Sequence, residues 1–258
     1  MTTRTSKSTT AKQGTPKPKA NREPKEQGQY TNPPETLDKH WFYGIIPNEE
    51  QKIFRDAIWK RENLITFVNS CAGSGKSLIA VATANLMVEY GLFDEIIYIT
   101  SPCHEWKQGF LSGSLDMKSM PYFYPLFDAL YTIGKDPSRV VHTDDVSIEK
   151  FCSPYVTPMT DTYIRGRNFG NSNKVIVICD ECQNMTTESL RTLLSRVCSG
   201  SICIAIGHSK QVDLIGGRKS GFEKCIEHFK DRPWATICTL TKNYRGEISR
   251  WADMLPKD

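Results

Sequence analysis

Residues 64–77 read L-I-T-F-V-N-S-C-A-G-S-G-K-S, and this stretch decides the fold. The short apolar run Leu64–Val68 predicts a buried strand. The Ala- and Leu-rich run Lys76–Tyr90 predicts a helix. Between them lies a small, Gly-containing loop, which is the strand–loop–helix context that a phosphate loop needs. Gly73 and Gly75 lack a Cβ, so the backbone can approach a phosphate closely and take positive φ. Exposed backbone N–H groups at the start of a helix favour an anion. Lys76 would reach the β- and γ-phosphates, and the Ser77 hydroxyl would coordinate Mg²⁺. The standard pattern opens with glycine where this chain has Ser70, a departure at the least chemical position. Ser70, Cys71, Ala72, Gly73, Ser74, Gly75, Lys76, Ser77 and Leu78 are therefore the expected nucleotide-binding residues.

Outward from this loop the pattern alternates. Helices are expected over Pro47–Arg61, Tyr122–Tyr131, Glu188–Val197, Ser220–Phe229 and Ile248–Met254. Further strands are expected at Glu95–Thr100, Lys174–Cys179, Ile202–Ile206 and Thr236–Leu240, five in all. Residues 132–160 show no clear periodicity and are expected to form loops or short pieces. Short apolar strands alternating with helices predict an α/β fold: a mostly parallel sheet flanked by helices on both faces.

The run V-I-V-I-C-D-E-C-Q-N (175–184) puts Asp180 and Glu181 at the end of an apolar strand. The carboxyl ends of parallel strands form the ligand crevice of such a sheet. Asp180 would hold Mg²⁺ through water, and Glu181 would orient and deprotonate an attacking water. Cys179 and Cys182 flank the pair as C-x-x-C, but no second Cys or His pair has zinc spacing. Gln211 lies in the loop after the next strand, where a side chain can sense a γ-phosphate.

Composition restricts the alternatives. No apolar run approaches the ~20 residues that span a bilayer, and the N-terminus has no secretory h-region. The nine cysteines then read as reduced thiols in a cytosol-like compartment. The net charge of +4 resides entirely in residues 1–36, which hold seven basic and three acidic side chains. That segment contains no Leu, Ile, Val, Phe or Trp and many Pro, Ser and Thr residues. It is expected to be a disordered basic tail, followed by one domain over 37–258.

Six segments together carry a family resemblance: S-C-A-G-S-G-K-S (70–77), G-F-L-S-G-S-L (109–115), P-Y-F-Y-P-L-F-D-A-L (121–130), Y-I-R-G-R (163–167), D-E-C-Q-N (180–184) and G-H-S-K-Q-V-D-L (207–214). Over roughly residues 47–222 the chain resembles the PhoH family of P-loop ATPases, which is similar to one RecA-like core of superfamily-one helicases. The resemblance implies that Gln51 reads adenine. It also implies that Lys76, Ser77, Asp180, Glu181 and Gln211 serve the nucleotide. Arg165 and Arg167 would contact nucleic acid or a neighbouring subunit, with surface salt bridges as the plain alternative. L-T-K-N-Y-R-G-E-I (240–248) is similar to the helicase motif that supplies a γ-phosphate arginine, which makes Arg245 the candidate finger. Three family positions differ: Arg-Pro is Ser101-Pro102, the proline of G-F-L-P-G is Ser112, and the aspartate before the sensor glutamine is His208.

The expected function is an Mg²⁺-dependent ATPase acting on RNA or single-stranded DNA. The alternative is a nucleotide-binding regulatory or assembly module with negligible turnover. A nuclease would need a carboxylate-bearing domain that the polar tail does not provide. One core with a finger candidate suggests a homo-oligomeric ring, for example a hexamer, with Arg245 acting across the interface. The divergence and the single core fit a viral member working in the host cytoplasm.

Overall fold

The computed structural model describes residues 32–101, 120–142 and 152–255. Most of the tail expected over 1–36 and the segment at 109–115 lie outside the described residues.

Six strands form one sheet: β1 (Ile65–Ser70), β2 (Glu95–Thr100), β3 (Val156–Thr160), β4 (Val175–Asp180), β5 (Ile202–Gly207) and β6 (Ala235–Leu240). Their order is β3-β2-β4-β5-β1-β6, and every pairing is parallel. This is the α/β architecture expected from the sequence, a parallel sheet flanked by helices on both faces, with one correction. The sequence reading has five strands, and β3 falls in the stretch read as loops. Its sequence V-T-P-M-T contains Pro158, which cannot donate to a ladder and suits an edge position. There it pairs with β2, with Pro158 opposite Tyr98.

The helices are α1 (Glu49–Trp59), α2 (Lys76–Glu89), α3 (Tyr124–Thr132), the single turn α4 (Pro137–Val140), α5 (Thr187–Leu194), α6 (Phe222–Phe229) and α7 (Glu247–Ala252). They lie on both faces because the strand side chains alternate. Val68, Tyr98, Ile178 and Ile206 join a core with α1, α2 and α3. Phe67, Ile99, Val177 and Cys203 join a second core with α5 and α6. Ile79 to Met87 of α2 are all buried, so the helix that opens at the phosphate loop is held on every side. Each fully buried Ile or Leu contributes about 1.5–3 kcal/mol. The loop is thus anchored to a rigid helix.

A part-buried polar network secures the far end of α2. Tyr155 OH donates to Asn85 Oδ1 at 2.6 Å, and Asn85 Nδ2 donates to Tyr43 OH at 2.8 Å. Tyr43 OH donates to Glu89 Oε2 at 2.6 Å, and Lys135 pairs with Glu89 at 2.6 Å. Burial and the Glu89 charge push both tyrosines upward, so their hydroxyls remain donors. The network connects the entry to the edge strand with the central helix. Asn85→Ala is expected to cost about 1–3 kcal/mol, because it leaves the part-buried Tyr155 hydroxyl without its acceptor and removes a donor from Tyr43. The urea midpoint should fall with an unchanged m-value.

Candidate nucleotide site

The strand order creates the site. Because β5 lies between β1 and β4, and all strands are parallel, their following loops emerge side by side at one edge of the sheet. β6 adds its own exit segment beside β1. The phosphate loop, the acidic turn, the loop after β5 and residues 241–245 therefore meet there.

Gly73 and Gly75 adopt φ +67° and +81°, a left-handed conformation that side chains with a Cβ rarely take. A Cβ on Gly73 would lie 2.8 Å from Arg245 Cγ and 2.8 Å from Asn243 Oδ1. α2 starts at Lys76 with no side-chain cap and no acidic residue in its first turn. Its first N–H groups are thus available to an anion. Ser70 Oγ and Ser74 Oγ are buried without a hydrogen-bond partner. An uncapped helix start, a lysine and orphan hydroxyls fit a bound phosphate. Leu78 packs on the core beside the loop, and Cys71 N donates to Leu240 O at 3.0 Å. Burial, then the Asp253 charge, pushes the Cys71 thiol up.

Facing the loop is the acidic turn. Ser77 Oγ donates to Asp180 Oδ2 at 2.6 Å, and Tyr98 OH donates to the same oxygen at 2.6 Å. Glu181 N–H donates to Asp180 Oδ1 at 2.9 Å. Asp180 is 1% exposed. The hydroxyl and carboxylate expected to hold Mg²⁺ are therefore already adjacent, and an oxygen-only donor pair suits that hard cation. Glu181 adopts φ +56°, unusual for a side chain of its size. This kink turns its carboxylate toward Lys76, with Nζ 3.7 Å from Oε1. Burial first, then the Asp180 charge, raises the Glu181 pKa. Lys76 and a hydrogen bond from Gln183 partly offset that rise.

Other expected residues find partners that sequence spacing does not show. Gln51 Nε2 donates to Ser74 O at 2.8 Å, while its Oε1 accepts from Asn48 N at 3.0 Å. Both ends of the amide are thus engaged in a capping box and a strut under the loop. Gln211 Nε2 donates to Asp253 Oδ1 at 2.9 Å, so its amide is directed to the end of α7. His208 Nδ1 lies 3.8 Å from the same carboxylate oxygen. Tyr244 N donates to Gly73 O at 2.9 Å. Arg245 therefore lies against the phosphate loop of its own chain.

Arg165 and Arg167 separate. Arg165 lines a cleft of about 730 Å³ with Ser101, Asn184, Thr186, Asp213 and Arg218. Arg167 instead offers its carbonyl to Arg196 Nη1 at 2.9 Å. Ser101, at a position where the resemblance implied an arginine, donates to Asp161 Oδ2 at 2.9 Å. The C-x-x-C cysteines are buried, with Cys182 Sγ donating to Cys179 O at 3.2 Å.

Sequence reading missed Gln183. It is fully buried. Its Nε2 donates to Glu181 Oε2 at 2.5 Å, and its Oε1 accepts from His208 N at 3.0 Å. It ties the acidic turn to the loop after β5. The available signal was an amide two residues beyond a candidate base.

A model of the family described as PhoH-like protein matches residues 45–252. The chain belongs to the PhoH-like family. It is 34% identical over 193 residues to a PhoH-like protein of Mycobacterium tuberculosis, covering 74% of this chain and 51% of that one. It is 30% identical over 224 residues to Protein PhoH2 of Bacillus subtilis, covering 84% and 48%. This PhoH-like chain thus spans about half the length of the curated relatives it matches. Among solved structures, the UvsW helicase from bacteriophage T4 aligns with TM-score 0.46 at 16% identity, covering 76% of this chain and 60% of that chain. A Sulfolobus solfataricus SWI2/SNF2 ATPase core aligns with TM-score 0.48 at 12% identity, covering 79% and 47%. The PhoH-like match includes the phosphate loop, the acidic turn and Arg245. No described helix is long and apolar enough to cross a membrane.

Proposed function

We propose that this PhoH-like chain binds ATP with Mg²⁺, hydrolyses it and couples the cycle to RNA or single-stranded DNA. One observation carries the reading: Ser77 and Lys76 on α2 face Asp180 and Glu181 on the neighbouring turn, at 2.6 and 3.7 Å. A nucleotide triphosphate on the uncapped helix start would have its terminal phosphates beside Lys76. Ser77 and Asp180 would hold Mg²⁺, which neutralises the charge that develops on the phosphoryl oxygens. Glu181 then accepts the proton of the attacking water, and Arg245 stabilises charge over Gly73. The raised Glu181 pKa brings this base nearer to neutral pH than an ordinary carboxylate.

The nucleic-acid part rests on the cleft beside this turn. Arg165 and Arg218 supply cations for a phosphodiester, and Thr186, Ser189 and Asn184 supply hydrogen bonds for sugars and bases. Asn184 Oδ1 also accepts from Asp213 N at 2.9 Å, which connects the cleft wall to the acidic turn. With Arg245 on its own loop, the arginine does not require a ring. A homo-oligomer, and a host cytoplasm for a viral member, are compatible with this reading but are not needed by it.

The test is phosphate release from Mg²⁺ and ATP by the parent and by Lys76→Ala, with and without single-stranded RNA and DNA. Release is expected to vanish in Lys76→Ala and to rise with one polymer in the parent. Arg165→Ala together with Arg218→Ala should abolish the rise while leaving basal release in place. ATP binding without release in the parent would overturn the enzyme reading in favour of a regulatory module. That outcome would turn attention to Ser101 and His208.

A further inference from the structure

β2 reads E-I-I-Y-I-T, an apolar run interrupted by a residue with a polar tip. Tyr98 is 0% exposed, at a non-edge position of the sheet. A buried tyrosine hydroxyl needs a hydrogen-bond partner, or it loses free energy. Here the parallel register provides one. Tyr98 stands opposite Ile178, and Thr100 stands opposite Asp180, one pleat further on. Alternation sends Ile96, Tyr98, Ile176 and Ile178 to the face covered by α2, and the tyrosine hydroxyl reaches the Asp180 carboxylate at the strand end.

The Asp180 carboxylate is thus held by three donors. Oδ2 accepts from Ser77 and Tyr98, each at 2.6 Å, and Oδ1 accepts from Glu181 N at 2.9 Å. The three donors differ in kind. Ser77 is itself a candidate metal ligand, so its oxygen has a second task once a nucleotide arrives. Glu181 sits on a turn with left-handed backbone. Tyr98 belongs to the middle of a sheet strand and has no part in the chemistry. A hydrogen bond from a neutral hydroxyl to a carboxylate is of the strong, charge-assisted kind, and groups that orient a metal ligand are worth about 10–100-fold in metal affinity.

We propose that Tyr98 is a positioning residue for the metal: its hydroxyl fixes the Asp180 carboxylate beside Ser77, so the cation meets a preset ligand pair. This rests on the nucleotide-site reading given above. A purely structural tyrosine would instead fill space in the core and satisfy its own hydroxyl, with no effect on the cation requirement.

The two roles separate in a binding measurement. Tyr98→Phe keeps the ring and removes the hydroxyl alone. A fluorescent ATP analogue is titrated against the parent and the variant, first in EDTA and then at increasing Mg²⁺. In EDTA the two should bind alike, within about twofold. The Mg²⁺ concentration that gives half of the metal-dependent tightening should rise about tenfold in Tyr98→Phe. Should the Phe variant fail to fold by thermal melting, Tyr98→Met is a second hydroxyl-free side chain on which the same titration is run. Equal Mg²⁺ midpoints in parent and variant would overturn the positioning role. A parent that binds the analogue with no response to Mg²⁺ would overturn the metal-site reading itself, which is a different result.

Discussion

Glu181→Gln is expected to bind ATP and Mg²⁺ as the parent does and to release phosphate about 10²–10⁴-fold more slowly. The amide keeps the shape of the side chain and a contact to Gln183, but it cannot take a proton from water. The same residue is expected to set the pH dependence. Burial and the neighbouring Asp180 charge raise its pKa, and only the ionised form is a base. Activity should therefore fall on acidification at a higher pH than an ordinary carboxylate would give. Stability has the opposite sign. A carboxyl whose folded pKa is raised contributes stability that is full below its unfolded pKa and is lost as pH rises through the folded value. Above its folded pKa, the ionised Glu181 thus works against the fold, and there Glu181→Gln should melt no lower than the parent. Single-turnover phosphate release and thermal melting across pH check both parts. Parental release rates in Glu181→Gln would assign water activation to another group.

The local build of the turn fits that expected opposition between activity and stability. Glu181 has a left-handed backbone and a raised pKa, with Lys76 at 3.7 Å and Gln183 at 2.5 Å as its compensating partners. Residues with strained backbone and a shifted pKa cluster where chemistry is done.

The elements legible in the sequence are those whose pattern is local. β1, β2, β4 and β5 are short apolar runs, and α2 is an uninterrupted helical run, so periodicity suffices for each. β3 was not legible, because an edge strand with a proline has neither the apolar run nor the alternation of a buried one. The loop residues from Gly73 to Ser77 and the pair Asp180–Glu181 were legible as motifs, and the strand order brings them together. Their supports were not. Tyr98 looks like one more β-former until the register places it beside Asp180. Gln51 suits an adenine edge by chemistry, yet here its amide holds Ser74 and Asn48. Gln211 finds Asp253 across 42 residues of chain. Each of these partners is fixed by tertiary register, which spacing along the chain does not encode.

Arg245 shows the same limit and gives the second large effect. Arg245→Ala is expected to slow hydrolysis about a thousandfold, the low end of what a γ-phosphate arginine contributes, since this side chain is exposed. ATP binding should change far less, because Lys76 and the helix start remain. The intrachain contacts lead to an expectation about which chain would supply the arginine. Tyr244 N is bonded to Gly73 O at 2.9 Å within one molecule, and Thr241 is fastened to Glu50 beside it at 2.7 Å. The exit of β6 is thus clasped to its own phosphate loop. Mixing Arg245→Ala with Lys76→Ala is then expected to restore no activity, because each chain retains one defective half of its own site. Specific activity should likewise be independent of protein concentration. Restored activity in the mixture would mean that an intact loop of one chain had met an intact arginine of another. Only that result would make a ring necessary for hydrolysis, and it would require residues 241–245 to leave the loop on which they rest here.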